Sequence, residues 1–251
     1  MVLAIPPQGH VDVWIAQVQD LSRDQRRSCE AILGNAEQAR LAAFTVEEAR
    51  TQYLAAHSLL RNVLSAYHPR GPSEWEFTVN AYGRPRLCGG NAVAPLHFSL
   101  SHTRGLVACA ISGTEEIGID AEYTNRDLSC GELAKALFAP PEISALQASQ
   151  GVEKTELFFS FWTLKEAYCK ARGMGLLLPL QKFWFELHRG DPEIFFSAGL
   201  SDDRRRWGFK LFSPSPKHRM AVAAFSPTSP STILVNLRRV EITGSTSFVW
   251  R

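Results

Sequence analysis

The chain has 251 residues, 45% of them apolar and 21% charged. A chain this long can bury a sizeable core, as one large domain or as two of about 120 residues. Its net charge of +2 gives no global reason for a polyanionic partner such as nucleic acid, and no run approaches ~18 uncharged apolar residues, which argues against a membrane span.

In chain order, alternation predicts a strand over residues 11–18 and short helices over 22–33 and 35–43. A strong helix follows over residues 46–66, with Leu54, Leu59, Leu60, Val63 and Leu64 on one side and Pro69 and Gly71 as its stop. A short strand at residues 76–79 leads into the turn Asn80-Ala81-Tyr82-Gly83-Arg84-Pro85. Strands over 97–100 and 106–111 flank a polar turn from Ser101 to Gly105, and 116–122 reads as a further strand. From Gly131 the pattern turns helical: 133–138, a break at Pro140-Pro141, 143–148, then a long helix over 153–172 stopped by Gly173 and Gly175. Strands follow at 184–187, 208–212, 220–225 and 232–240. Strand, helices and strands thus occur twice, which predicts two α+β halves, residues 1–114 and 115–225, with 226–251 as a C-terminal extension.

The five cysteines, Cys29, Cys88, Cys109, Cys130 and Cys169, are scattered and form no CxxC pair, against a zinc site or a disulfide framework. Free thiols suit a reducing cytoplasm. Residues 1–10 lack the basic and apolar regions of a secretory signal.

Four clusters carry chemistry. Asp120 and Glu122, two apart on a strand, share a face, while Ile117, Ile119 and Ala121 make the other face apolar. Adjacent carboxylates repel unless they share a cation, and Mg²⁺ takes hard oxygen ligands; alone, the pair reads more often as a solvated strand end. Glu166 and Lys170 share a helix face at i, i+4, which by itself is a surface pair contributing ~0.3–0.5 kcal/mol. Lys165, about 100° round the helix, reads as a substrate contact or a solvated neighbour. Ser101-His102 reads as an anion-holding turn or a plain hairpin turn, without the surroundings of a nucleophile elbow. Gly83-Arg84 offers close backbone approach and bidentate donors for a phosphate, or is an exposed turn. Arg40 and Arg50 read locally as solvated helix residues, and Asp202 to Arg206 as a solvated charged loop without a nucleic-acid stripe.

Together, Gly83-Arg84-Pro85, Phe98-Ser99-Leu100-Ser101-His102, Gly118-Ile119-Asp120-Ala121-Glu122 and Phe161-Trp162-Thr163-Leu164-Lys165-Glu166-Ala167-Tyr168-Cys169-Lys170 stand in a recognisable order and spacing. Over roughly residues 35–225 the chain resembles the 4′-phosphopantetheinyl transferases, specifically the larger surfactin-synthetase-activating type. The resemblance rests on a (Val/Ile)-Gly-(Ile/Val)-Asp block and a Trp-x-x-Lys-Glu-(Ala/Ser)-x-x-x-Lys block, followed by Gly173-Met174-Gly175-Leu176.

What the resemblance implies is a pseudo-twofold pair of similar α+β halves in one monomer, with the site in the cleft between them. It implies transfer of the phosphopantetheine arm of coenzyme A to a serine of an acyl or peptidyl carrier protein, with Mg²⁺ as cofactor. Asp120, Glu122 and Glu166 match the metal-binding acids, and Lys170 the pyrophosphate lysine. Ser101 and His102 match the pair near the 3′-phosphate and adenosine. Gly83 and Arg84 match the turn at the substrate, and Arg40 and Arg50 match basic positions, Arg40 for the 3′-phosphate. Glu37 departs from the pattern, standing where some members carry a lysine. Glu166 is the candidate base and Glu122 the second choice. Residues 128–138 and Phe158 are candidate carrier contacts. The alternatives are another Mg²⁺-dependent phosphotransferase or a non-catalytic coenzyme A-binding module.

Overall fold

The computed structural model describes residues 2–18, 21–88, 95–125, 130–188, 190–200, 202–226 and 232–242. The first half comprises strand β1 (His10–Gln17), helices α1 (Arg23–Ala31), α2 (Asn35–Ala42) and α3 (Glu47–Tyr67), a short hairpin β2 (Phe77–Val79) and β3 (Pro85–Leu87), and strands β4 (His97–Thr103) and β5 (Leu106–Ser112). The second half repeats the series: β6 (Ile117–Tyr123), helices α4 (Cys130–Leu137), α5 (Pro140–Ala148) and α6 (Gly151–Arg172), a hairpin β7 (Phe183–Glu186) and β8 (Glu193–Phe196), and strands β9 (Trp207–Ser215) and β10 (His218–Phe225). Strand β11 (Leu234–Val240) ends the described chain.

The repeat extends to the sheets. In the first half the strand order is β1-β5-β4 and in the second β6-β10-β9, each with the last strand of its half in the middle. The two α+β halves expected from the sequence therefore share one topology. The expected extension does not stand apart, because β11 pairs in parallel with β1, from His10 opposite Leu234 to Ala16 opposite Val240, and forms the edge of the first sheet.

Period-2 side-chain alternation explains the layering. Val11, Val13 and Ile15 of β1 and Leu106, Ala108 and Ala110 of β5 meet Ile117, Ile119 and Ala121 of β6 and Met220, Val222 and Ala224 of β10 in one buried cluster between the sheets. The alternate residues, Trp14, Ala16, Val107, Cys109 and Ile111, turn outward against Leu59, Leu60, Val63 and Leu64 of α3. On the other side Phe161, Leu164, Tyr168 and Ala171 of α6 cover Ala221 and Ala223 of β10. The order of layers is helix, sheet, sheet, helix.

Three local expectations change. Polar residues 101–103 are strand, not turn: β4 runs to Thr103, because its hydroxyls face β6 rather than water. The expected break falls between α4 and α5, but Pro140 itself starts α5, three residues earlier than expected, at a position whose N–H needs no partner, with Glu142 completing the cap at Ala139 N. Hairpin strands β3 and β8 were not foreseen; each is three or four residues long.

Candidate active site

Glycine sets the site. A Cβ at Gly118 would lie 1.9 Å from the Ala167 carbonyl oxygen and 2.6 Å from the Ala171 nitrogen, so only glycine lets α6 lie directly on β6. That approach brings Glu166 and Lys170 on α6 beside Asp120 and Glu122, which alternate with Ile119 and Ala121 and so face the helix. Lys170 Nζ donates to Asp120 Oδ1 (2.8 Å) and to the Ile119 carbonyl (3.0 Å). Trp162, one turn before Glu166, donates its indole N–H to Glu122 Oε1 (2.9 Å).

The cluster is electrostatically loaded. Burial, and then the Asp120 and Glu122 charges, push the Glu166 carboxyl up to about 7, against the pull of Lys170. Asp120 is buried, and its Oδ2 meets no hydrogen-bond donor among the described residues. A buried acceptor left so costs about 1–3 kcal/mol, which a donor or cation would recover. The hard-oxygen donors, their mutual repulsion and the open Oδ2 fit a divalent cation such as Mg²⁺. As the side chains stand, no three acids, histidines or thiols among the described residues are grouped closely enough to enclose an ion.

The first half supplies the facing wall. Gly83 holds φ +82° at the tip of the β2–β3 turn. With Arg84, Phe98, Leu100, Lys170 and Gly173 it lines a cavity of about 230 Å³. His102 projects from β4 and is exposed; desolvation of the ring by the residues around it, and then the Lys170 and His57 charges, lower its imidazole pKa to about 4.

The sequence compares with known proteins as this geometry suggests. Residues 116–223 match the family model described as the 4′-phosphopantetheinyl transferase superfamily. The chain is 30% identical to the 4′-phosphopantetheinyl transferase Sfp of Bacillus subtilis over 213 residues, 85% of this chain and 91% of that one. The chain belongs to the 4′-phosphopantetheinyl transferase superfamily. It is 36% identical to the transferase HetI of Nostoc sp. over 157 residues, 62% of this chain and 66% of that one. A crystal structure of a holo-(acyl-carrier-protein) synthase from Bacillus anthracis in complex with coenzyme A (3′,5′-ADP) aligns with TM-score 0.35 and 21% identity, over 45% of this chain and 96% of that one.

Within this transferase the structure places the other expected residues differently. Arg84 does not turn its fork to the cleft: Nη1 donates to the Ala171 carbonyl (2.9 Å) and Nη2 to the carbonyls of Glu115 (2.7 Å) and Ile117 (2.9 Å). It latches the turn to the end of α6, helped by Asn80 Nδ2 on the Gly173 carbonyl (2.8 Å). Ser101 is buried, not displayed on a turn, and bonds Ala121 N and Asp120. Lys165 is neither substrate contact nor solvated neighbour. It is fully buried, donating to Glu142 (2.8 Å) and to the carbonyls of Leu180 (2.7 Å) and Phe183 (2.6 Å). Glu37, the departure from the family pattern, bonds the Gly34 amide, His57 and Arg61, which fixes the start of α2.

Arg40 lies exposed on α2, and Arg50 on α3 pairs loosely with Glu30 at 3.5 Å; among the described residues no contact brings either to the acid cluster. Asp202, read as part of a solvated run, turns inward to accept from Tyr168, Trp207 and Arg172. Of the carrier contacts, Leu128 and Ser129 lie outside the described residues, and Phe138 and Phe158 are core at 1% and 2% exposure; Leu133 on α4, at 37%, is exposed.

The sequence missed three site features. They are the Trp162–Glu122 bond, the Gly118 contact, and a row of hydroxyls from Ser99, Ser101 and Thr103 to the amides of Ile119, Ala121 and Tyr123, each 3.1 Å. The alternation of Ser99, Ser101 and Thr103 with Phe98 and Leu100 carried the signal for the third.

Proposed function

We propose that this transferase moves the phosphopantetheine arm of coenzyme A onto a serine of an apo acyl or peptidyl carrier protein, using the Asp120–Glu122–Glu166–Lys170 cluster. The convergence of these four residues across the β6–α6 contact supports the reading most directly. The serine oxygen bonds to the β-phosphorus, the bond from that phosphorus to the bridging oxygen breaks, and adenosine 3′,5′-bisphosphate leaves. Glu166, with a pKa near neutrality, accepts the hydroxyl proton. Lys170 has a third N–H beyond those given to Asp120 and Ile119 and offers it to the pyrophosphate oxygens. Asp120, Glu122 and Glu166 would hold Mg²⁺, which supplies charge neutralisation on those oxygens. His102 at the rim contacts the nucleotide part of coenzyme A, with Arg40 and Arg50 as further basic contacts. That both walls of the cleft come from one chain supports a monomer as the working unit, and the free thiols among the described residues support a place in the cytoplasm. No described helix is long and apolar enough to cross a membrane.

The test incubates the protein with coenzyme A, Mg²⁺ and an apo carrier protein and reads intact mass. The carrier should gain one phosphopantetheine arm, and Glu166→Gln should lose at least about a hundredfold in kcat. No gain on any of several carriers sinks the activity; wild-type kcat in Glu166→Gln removes Glu166 from the chemistry.

A further inference from the structure

We infer that Ser101 is a positioning residue of the acid cluster: it holds Asp120 so that Oδ2 stays open to a divalent cation, and it does not contact coenzyme A. The inference rests on the metal reading above.

The hydroxyl row on β4 shows what is particular about this serine. Ser99, Ser101 and Thr103 each accept an N–H from β6, so the edges of the two sheets are joined through side chains rather than through a backbone ladder. Ser99 and Thr103 are bonded there to an amide alone among the contacts described. Ser101 accepts from Ala121 N at 3.1 Å, which leaves its one hydrogen free, and that hydrogen goes to Asp120 Oδ1 at 3.2 Å. The group is 5% exposed, so its hydroxyl has no room to turn toward a ligand in the cleft without abandoning the amide.

The consequence concerns which carboxylate oxygen is used up. Rotation about the last side-chain bond would exchange Oδ1 and Oδ2. Two donors, Ser101 and Lys170, both fall on Oδ1, and Oδ2 is left buried with no donor among the described residues. Lys170 is the more exposed donor, at 30%, and is the one assigned to substrate oxygens. While Lys170 divides its three N–H groups among Asp120, Ile119 and the substrate oxygens, the one hydrogen of Ser101 goes to Oδ1 alone and keeps Oδ2 presented. Partners of this kind behind a metal ligand typically govern 10- to 100-fold in metal affinity.

The experiment titrates the full chain with Mn²⁺, without coenzyme A, following free Mn²⁺ by electron paramagnetic resonance. Ser101→Ala should bind Mn²⁺ roughly tenfold more weakly. Its KM for coenzyme A at saturating Mg²⁺ should stay near that of the wild type. Ser101→Thr, which keeps the hydroxyl, should restore binding. Thr103→Val removes a hydroxyl from the same row; it should lower the melting temperature but leave Mn²⁺ binding intact. Unchanged Mn²⁺ binding in Ser101→Ala overturns the inference. So does equal weakening in Thr103→Val, or a rise in KM for coenzyme A with metal binding preserved. Wild-type protein that modifies a carrier yet binds no Mn²⁺ overturns the metal assignment and this inference together. Wild-type protein that binds Mn²⁺ but modifies no carrier overturns the transferase reading alone.

Discussion

Replacing Lys165 by methionine tests how the active helix is held. The Lys165 ammonium and the Glu142 carboxylate are both 0% exposed. Burial lowers the pKa of the lysine and raises that of the glutamate, and each charge opposes the shift of the other. The three lysine N–H groups match three acceptors, Glu142 and the carbonyls of Leu180 and Phe183, and the Phe183 ring lies 4.3 Å from Nζ. Glu142 in turn accepts from Ala139 N (3.0 Å) and Phe185 N (3.1 Å), so one pair ties α6 to the start of α5 and to β7. Methionine fills the volume but leaves a buried carboxylate with only its two amide donors. Breaking a buried pair on one side costs about 3–5 kcal/mol. The exposed Lys135–Glu132 pair, at 63% and 76%, is the contrast; removing it should cost under about 0.5 kcal/mol. Urea unfolding at constant m-value measures both. Adding Glu142→Gln to Lys165→Met removes the stranded charge and should recover half or more of the loss. A single-variant cost below about 1 kcal/mol, or a double variant no better than the single, refutes the reasoning.

Three further outcomes follow from the same contacts. Gly118→Ala pushes a methyl into the α6 backbone, 1.9 Å from the Ala167 oxygen; it should cost about 3 kcal/mol in thermal unfolding and abolish transfer, and a fully active variant contradicts the close approach. Arg84→Met frees three carbonyls and should destabilise by about 2 kcal/mol with little change in KM for coenzyme A; a raised KM with intact stability returns Arg84 to the substrate. In EDTA, stability should fall as pH rises from about 4.5 to about 7, because the folded state raises the Glu166 pKa from 4.5 to about 7 and so holds a proton that the unfolded chain has released. The difference of about 2.5 units sets an upper limit near 3 kcal/mol, Glu166→Gln should remove this component, and Mg²⁺ should flatten it by favouring the charged form. A wild-type and variant pair with the same pH slope in EDTA refutes it.

The regular elements were legible because their periods are set by burial. Alternation in β1, β5, β6 and β10 is the alternation between the inter-sheet core and the helix-facing cores, and it is visible in the residues themselves. Strands β3 and β8, which close the two short hairpins, carry too few residues for a period to show. The acids and Lys170 were placed by their motif spacing, not by local pattern, since Glu166 and Lys170 alone look like a surface pair. Lys165 and Asp202 show the limit of composition: a buried charge is legible only with its partner, and those partners lie 23 and 30 residues away, at Glu142 and Arg172. Arg84 shows a related limit. A turn arginine beside glycine suits phosphate, but equally suits a helix end whose last carbonyls need donors.

The position of the site follows from the repeat. Two halves with one topology set β4, the edge strand of the first sheet, beside β6, the edge strand of the second, and serine and threonine hydroxyls bridge the two edges. At such a seam a carboxylate can be buried yet held on one oxygen and left open on the other, which an interior ladder would not allow. Asp120 is held from the first half by Ser101 and from the second by Lys170, so neither half alone holds the site. The chain then returns to the first half. Beyond β10, Ile233 enters the core between the sheets and β11 lies along β1, where Asn236 and Arg238 bond Asp12 at 3.1 and 3.4 Å. Separating the halves would require stripping β11 from β1 as well as breaking the hydroxyl row. The C-terminal segment is thus a tie across the seam on which the acid cluster depends.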